Sequence, residues 1–569
     1  MSAENDPIDS VLQRGPMGRF CGYAKMTGPG WIQAAVTLGG GSLVGALYLG
    51  VIGGYQFMWL QPLAMLCGII MLSAISYVTL SSEERPFVSV KKNVSPALAW
   101  GWLIATVVAN VVFCSAQFSL GTDAAQGNLN ILRSSPYAIT AIFAVVGLSL
   151  LWLSRKQGKA GKIIDHFLKF LVAVVVLAFM GVVIVLASKG GVEWGALFKG
   201  LIPDFTALFK PAATYGDAIV ASGANSGFWT DYISTQQRNI IIGAFGSAVG
   251  INMTFLLPYT LKKRGWAKKH RELSRYDLML GLFVPFILAT SFLVIATSSQ
   301  FHAKKDGVVS ENSYNAVLDQ VVGHSAPEHK QDLGTQKRLS GELKEAQDPS
   351  AKEEIKVKLE TVTALIEKRR ESAAQTDKDL SVMLAKRNAS DLASSLEPFL
   401  GKNSQLIFGI GVLAMAISTM IVHMMMNGYA ISEAFGKPGV TGLFMFGAAM
   451  PAITGLLSPI LWTGGAKTAL VVPAAVIATT LLPIAYIIFL LLMNSRQTLG
   501  AELPVKRTWI NVLMVLATGI ATFASVWSLI GKYKQPDAYN HYFGLVGLIV
   551  LPLLFLLGIL SFMKRQKIV

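Results

Sequence analysis

The chain has 569 residues, of which 53% are hydrophobic and only 14% charged. A soluble chain carries about 25% charged residues, so this balance excludes an ordinary soluble globular protein. The net charge of +16 is spread over short basic runs between apolar stretches, which argues against a nucleic-acid surface and for loops that orient spans in a membrane.

Apolar runs of about 20 residues, each able to cross a hydrocarbon core of roughly 30 Å, recur along the chain. Before the first, the segment 1–29 is polar, and Met1–Lys25 lacks the apolar core of a signal peptide. Twelve spans are predicted, at 30–51, 56–80, 97–120, 136–153, 167–188, 239–261, 277–300, 405–428, 442–462, 469–493, 508–530 and 542–562. They divide the chain into 30–188 (spans one to five), 239–300 (six and seven), 405–493 (eight to ten) and 494–569 (eleven, twelve and the tail). Cys21, Cys67 and Cys114 show no metal-ligand spacing and form no disulfide framework.

Alternate short loops are basic. "SRKQGKAGK" follows span four, and "KKRGWAKKHRELSR", with seven Lys or Arg against one Glu, follows span six. Arg85, Lys91, Lys92, Lys437, Arg496, Lys506 and Arg507 follow spans two, eight and ten. The opposite short loops hold only Arg133, Lys467, Lys532 and Lys534. This bias predicts a multi-pass plasma (inner) membrane protein with both termini cytoplasmic. The segments 189–238 and 301–404 then lie outside. In the second, Ile355, Leu359, Val362 and Ile366 form one helical stripe, and Pro349 is expected to divide a solvated helical hairpin. Asp217 and Asp231 are read as solvated loop residues and Asp123 as interfacial.

Span one has "TLGGGS" at its centre. Three consecutive glycines there point to an interrupted helix, the form in which transporters expose backbone groups at mid-membrane. Span six is interrupted in the same way, with Gly243, Gly246 and Gly250 in its first half, Asn252 at its centre and Pro258 two turns later. Gly39, Gly40, Ser42, Gly250, Asn252 and Thr37 are therefore the candidate substrate-binding residues. Gln33, Asn110, Ser115, Gln117 and His423 are further polar residues placed to line the same cavity, although neutral residues of this kind also bridge helices. Met424, Met425 and Met426 point in three directions on a helix and cannot converge as ligands. No catalytic motif or nucleotide loop is present, so neither an enzyme nor a cofactor is expected.

Four stretches resemble the NRAMP family of divalent-metal transporters. "GPGWIQAAV" with "GVIGGYQFMWL" is similar to its opening helix, and "KKRGWAKKHRELSRYDLMLGLFVPF" to its passage from span six to seven. "LIFGIGVLAMAISTMIVHMMMNGYAISEAFG" is similar to span eight and "LLPIAYIIFLLLMNSRQTLG" to the end of span ten. The resemblance implies an all-α, leucine-transporter-like 5+5 inverted repeat, with spans one and six rocking against three, four, eight and nine. It also exposes departures. The family's Asp-Pro-Gly-Asn falls on Gly39, Gly40, Gly41 and Ser42, and its Met-Pro-His-Asn on Gly250, Ile251, Asn252 and Met253. The acids linked to proton movement fall on Ser115 and Phe118, and a proton-path histidine on Leu257. Carboxylate, amide and thioether ligands are thus missing from their expected places. Neutral oxygen donors suit a cation that keeps much of its water, as Mg²⁺ does, better than dehydrated Mn²⁺ or Fe²⁺. The expected partners are the bilayer and a transported cation. A neutral organic solute on the same fold, and a non-transporting sensor or scaffold, are the alternatives.

Overall fold

The structure, a computed structural model, describes residues 7–156, 159–307, 309–387, 391, 393–394, 397, 401–461, 471–535 and 538–566. The described residues are helical at all twelve predicted spans. Residues 462–470, where span nine was expected to end and span ten to begin, lie outside the described residues. Nine described helices are long and apolar enough to cross a bilayer, or up to eleven if each bent pair counts as one span. Span nine, Thr441–Leu456, is shorter at 16 residues.

Spans one and six are both interrupted. Span one runs as Pro29–Thr37 and Gly40–Gly53, and the two pieces meet at 48°. Span six runs as Ser226–Ala248 and Ile251–Lys263, with Val249 and Gly250 extended between them. Pro258 is accommodated inside the second piece, so the break comes at Gly250 rather than at the proline. The first piece of span six begins 13 residues before the predicted 239. Its polar start lies beyond the apolar window because it belongs to the extramembrane layer.

That layer is a second hydrophobic core. Tyr215, Ile219, Trp229 and Ile233 pack with Val317, Leu318, Val321, Leu380, Met383 and Leu384. Segments 189–238 and 301–404 therefore build one cap, on the face opposite the basic loops. Pro349 opens the helix Pro349–Ser372, which pairs with Pro327–Glu345 as the expected hairpin. Asp319 gathers the cap helices: Arg370 donates to it from Nε and Nη2 at 2.8 Å each, and His329 Nε2 lies 2.8 Å away. Asp377 accepts from Trp229 Nε1 at 2.7 Å and Asn225 Nδ2 at 2.8 Å, which fixes the cap to the extension of span six. Span one is fixed as well: Tyr48 donates to the Arg387 carbonyl at 2.6 Å, and the Val51 carbonyl meets Tyr215 and His302. Asp217 and Asp231 are exposed on this cap, as solvated residues should be.

At the basic face, Asp277 of span seven caps span one. Its carboxylate accepts from the Gly28 and Gly30 amides at 2.7 and 2.6 Å, satisfying donors that a helix start leaves open and matching the positive end of the dipole. Lys169 of span five donates to the Thr27 carbonyl at 2.9 Å, and Arg264 pairs with Asp165 beside them. The first half of span one is thus held by spans five, six and seven together.

Two outcomes follow. Asp277→Asn converts one charge-assisted contact into a donor facing a donor, at a cost of about 1.5–3 kcal/mol. The thermal midpoint should fall, and a cysteine placed at Gln33 should gain accessibility from the basic face; an unchanged labelling rate would mean that Asp277 does not hold this helix. Asp377→Ala leaves the buried Trp229 indole N–H without its acceptor, a loss of about 1–3 kcal/mol. Limited proteolysis should then cut 311–384 faster while the spans stay intact.

Candidate functional site

The two breaks lie side by side, and their freed backbone groups shape the site. Within a bundle that excludes water, each unpaired carbonyl must find an internal donor. The Ala35 carbonyl, whose i+4 partner is lost at the break, lies within donor reach of the Thr419 and Ser418 hydroxyls of span eight, at 3.0 and 3.2 Å; the same hydroxyls reach the Met415 carbonyl at 2.9 and 3.0 Å. Ser42 donates to the Ser247 carbonyl at 2.7 Å, and Thr37 to the Ala248 carbonyl at 3.4 Å. Span one therefore serves the freed carbonyls of span six, and span eight serves that of span one. Gly39 is required by a close approach: a Cβ there would lie 2.1 Å from Thr419 Oγ1.

Between the breaks is a small cavity, leaving about 20 Å³ for the centre of a water-sized particle. Its polar lining is Thr37, Gln117, Ser247, Asn252, Thr419 and His423, with Met253 supplying sulfur. Asn252 donates to Asn110 Oδ1 at 3.2 Å, and its own Oδ1 accepts from the Met253 amide at 3.0 Å. Thr37 Oγ1 lies 3.0 Å from Met253 Sδ. His423 Nδ1 sits 2.9 Å from the Thr419 carbonyl, and since a carbonyl only accepts, Nδ1 carries the proton. The ring stacks on Phe113 at 5.5 Å. Gln33 Oε1 and Asn110 Nδ2 are buried beside the cavity without hydrogen-bond partners. Among the described residues no carboxylate lines the cavity, and no group of three or more His, Cys, Asp or Glu is placed to hold a metal.

The structure brings Thr37, Gly250, Asn252, Gln117 and His423 of the candidate set to the cavity wall. Ser42 stands behind it as a backbone clamp, Gly39 abuts Thr419, and Gly40 opens the second half of span one. Gln33 reaches the Met253 carbonyl at 3.3 Å, and Asn110 reaches Asn252; both adjoin the lining rather than forming it. Ser115 is buried away from the lining. Sequence reasoning missed Met253, Ser247 and Thr419. A thioether is absent at the aligned position but present three residues on, within one turn of Gly250. The polar pair Ser418–Thr419 was the signal for the third contributor. Met424, Met425 and Met426 are all buried in packing.

Comparison with known proteins agrees with this architecture. No curated protein matches the chain by sequence alone. The chain is similar in structure to a histidine-to-alanine variant of the Eremococcus coleocola manganese transporter, with a TM-score of 0.64, 14% identity and 97% of each chain covered. It is also similar to that transporter with an aromatic bis-isothiourea compound bound, at a TM-score of 0.56 and 14% identity, again over 97% of each chain. The family model for natural resistance-associated macrophage protein-like (Nramp) proteins matches residues 30–328 and 373–531, leaving out most of the cap hairpin. With that match covering most of its length, and both interrupted helices within it, the chain belongs to the Nramp family.

Proposed function

We propose that the chain is a secondary transporter, at the plasma (inner) membrane, that carries a divalent metal cation through the cavity between its interrupted helices by alternating access. Thr37, Asn252 and the backbone around Gly39, Gly40 and Gly250 form its binding site, with Ser42 holding the two breaks together. The observation that carries this reading is the cavity itself: one water-sized particle fits where two broken helices meet. An organic solute is far larger than that space. A dication in an uncharged, low-dielectric site keeps part of its hydration, because no carboxylate offsets its charge. A cation of the Mg²⁺ type, which dehydrates reluctantly, fits that condition. Admitting its waters requires the breaks to spread, and the 3.4 Å contact of Thr37 with the Ala248 carbonyl is the longest of the clamps. The basic face is the cytoplasmic one, and the cap closes the outer side.

Met253 and His423 favour a second reading. Thioether and imidazole are softer donors than hydroxyl or amide and prefer transition-metal dications such as Mn²⁺. The two readings separate on one variant.

Proteoliposomes containing the full chain should take up Mg²⁺ or Mn²⁺ and should not take up an amino acid. Asn252→Ala should lower that flux about tenfold, the loss of roughly one buried polar contact. Met253→Ala should leave Mg²⁺ flux nearly intact under the first reading and abolish Mn²⁺ flux under the second. Ser42→Ala exposes no new donor to the cavity but strips the Ser247 carbonyl of its partner. Its main effect should be a lower thermal midpoint, by about 1–3 kcal/mol in stability. Unchanged flux in both Ser42→Ala and Asn252→Ala would place the site elsewhere.

A further inference from the structure

Span eight ends in an arrangement that the mid-membrane site does not use. Glu433 stands in the last turn of Ser404–Ala434 and is 2% exposed. Three penalties act on it with the same sign. It is a carboxylate withdrawn from water. It sits at the negative end of its helix dipole, where cations are favoured and anions are not. Its Oε1 is buried with no hydrogen-bond partner, while Oε2 meets only Arg85 Nη1 at 3.4 Å. The Arg85 side chain is 43% exposed, so this pairing is loose at the solvent side.

The neighbour of Glu433 is Tyr259, on the second half of span six. The buried Tyr259 hydroxyl lies beside the Glu433 carboxyl and the Phe87 backbone, in neither case at full hydrogen-bond geometry. Tyr259 follows Asn252 by seven residues, two helical turns, and so occupies the same helix face about 10 Å nearer the basic end. Glu433 follows Thr419 by fourteen residues, about four turns, again on nearly the same face. Phe255, Tyr259 and Tyr429 stack in a row beside the pair, at 4.8 and 5.9 Å. One element of the pair rides on an interrupted helix and the other on a continuous one.

From this geometry we infer that Glu433 and Tyr259 form a second cation site, on the cytoplasmic exit route, that takes a divalent metal ion after it leaves the mid-membrane cavity. The ion binds Glu433 Oε1 and the Tyr259 oxygen, and Arg85 swings into the cytoplasm as it arrives. A cation there relieves the burial, dipole and unpaired-oxygen penalties together. Glu433 also supplies at the exit the negative charge that the central cavity lacks, which draws the ion inward. Arg85 restores neutrality once the ion departs. The inference rests on the transport reading above.

The test uses the full-length protein in proteoliposomes, with Mg²⁺ and Mn²⁺ as probes and the two sides of the membrane sampled separately. Glu433→Gln should lower the maximal uptake rate about tenfold, the equivalent of one charge-assisted contact, while the apparent affinity from the outer side moves less than about twofold. Glu433→Asp should recover part of the rate, and Tyr259→Phe should lower it by about twofold to fivefold. Arg85→Gln changes a half-exposed residue and removes the one positive charge that meets Glu433. It should make metal on the cytoplasmic side inhibit uptake at about threefold lower concentration, since the competing cation is gone. Wild-type rates in Glu433→Gln, with a working wild-type protein, overturn the exit site alone. So does an unchanged inhibition profile in Arg85→Gln together with equal loss in Glu433→Gln and Glu433→Asp, the pattern of a merely structural acid. Absence of Mg²⁺ and Mn²⁺ uptake by the wild-type chain overturns the transport reading and the exit site together.

Discussion

Two helices are broken at the centre of a bundle, buried away from bulk water, and the rest of the structure answers that constraint. Each break frees carbonyls whose desolvation costs several kcal/mol in a hydrocarbon-like interior. The chain satisfies them across the break pair rather than within each helix. Ser42 of span one serves the Ser247 carbonyl of span six, and Thr419 of span eight serves the Ala35 carbonyl of span one. The break in span six therefore depends on span one, and the break in span one depends on span eight.

This solution leaves a cavity that is polar but uncharged. Hydroxyls, amides, an imidazole and a thioether line it, and each is a donor set that a cation can use without being bound irreversibly. The departures from the family's ligand positions are thus not simply losses. Substituting Gly39 where a carboxylate is expected allows span eight to approach until Thr419 touches the backbone. Any side chain at that position would collide with the group that satisfies the break.

Both ends of the interrupted helices are also tied down. Asp277, Lys169 and the Arg264–Asp165 pair hold the start of span one. The cap holds its other end through Arg387, Tyr215 and His302, and holds span six through Asp377. The hairpin that the family model leaves out belongs to a cap whose remaining helices pack on the extension of span six. The cap and the contacts of Asp277 and Lys169 thus hold span one from opposite ends.

Much of this was legible in the sequence, for definite reasons. A bilayer demands about 20 apolar residues per helix, so composition and periodicity located the spans. Three consecutive glycines and the paired interruption in span six identified the breaks, because residues without a Cβ weaken a helix at the positions they occupy. Alternating basic loops and Pro349 made the loop asymmetry and the hairpin visible. Other features depend on which residues meet across distant parts of the chain. Met253 as a cavity wall, Thr419 as the donor to Ala35, and the joining of segments 189–238 and 301–404 into one core have no local signature. Each pairs residues hundreds of positions apart, or turns on which way a side chain faces. The sequence by itself determined where the helices must cross and where they must fail, since both follow from local backbone energetics. Tertiary structure alone decided which groups those failures bring together, because the partner of a freed carbonyl is chosen by packing.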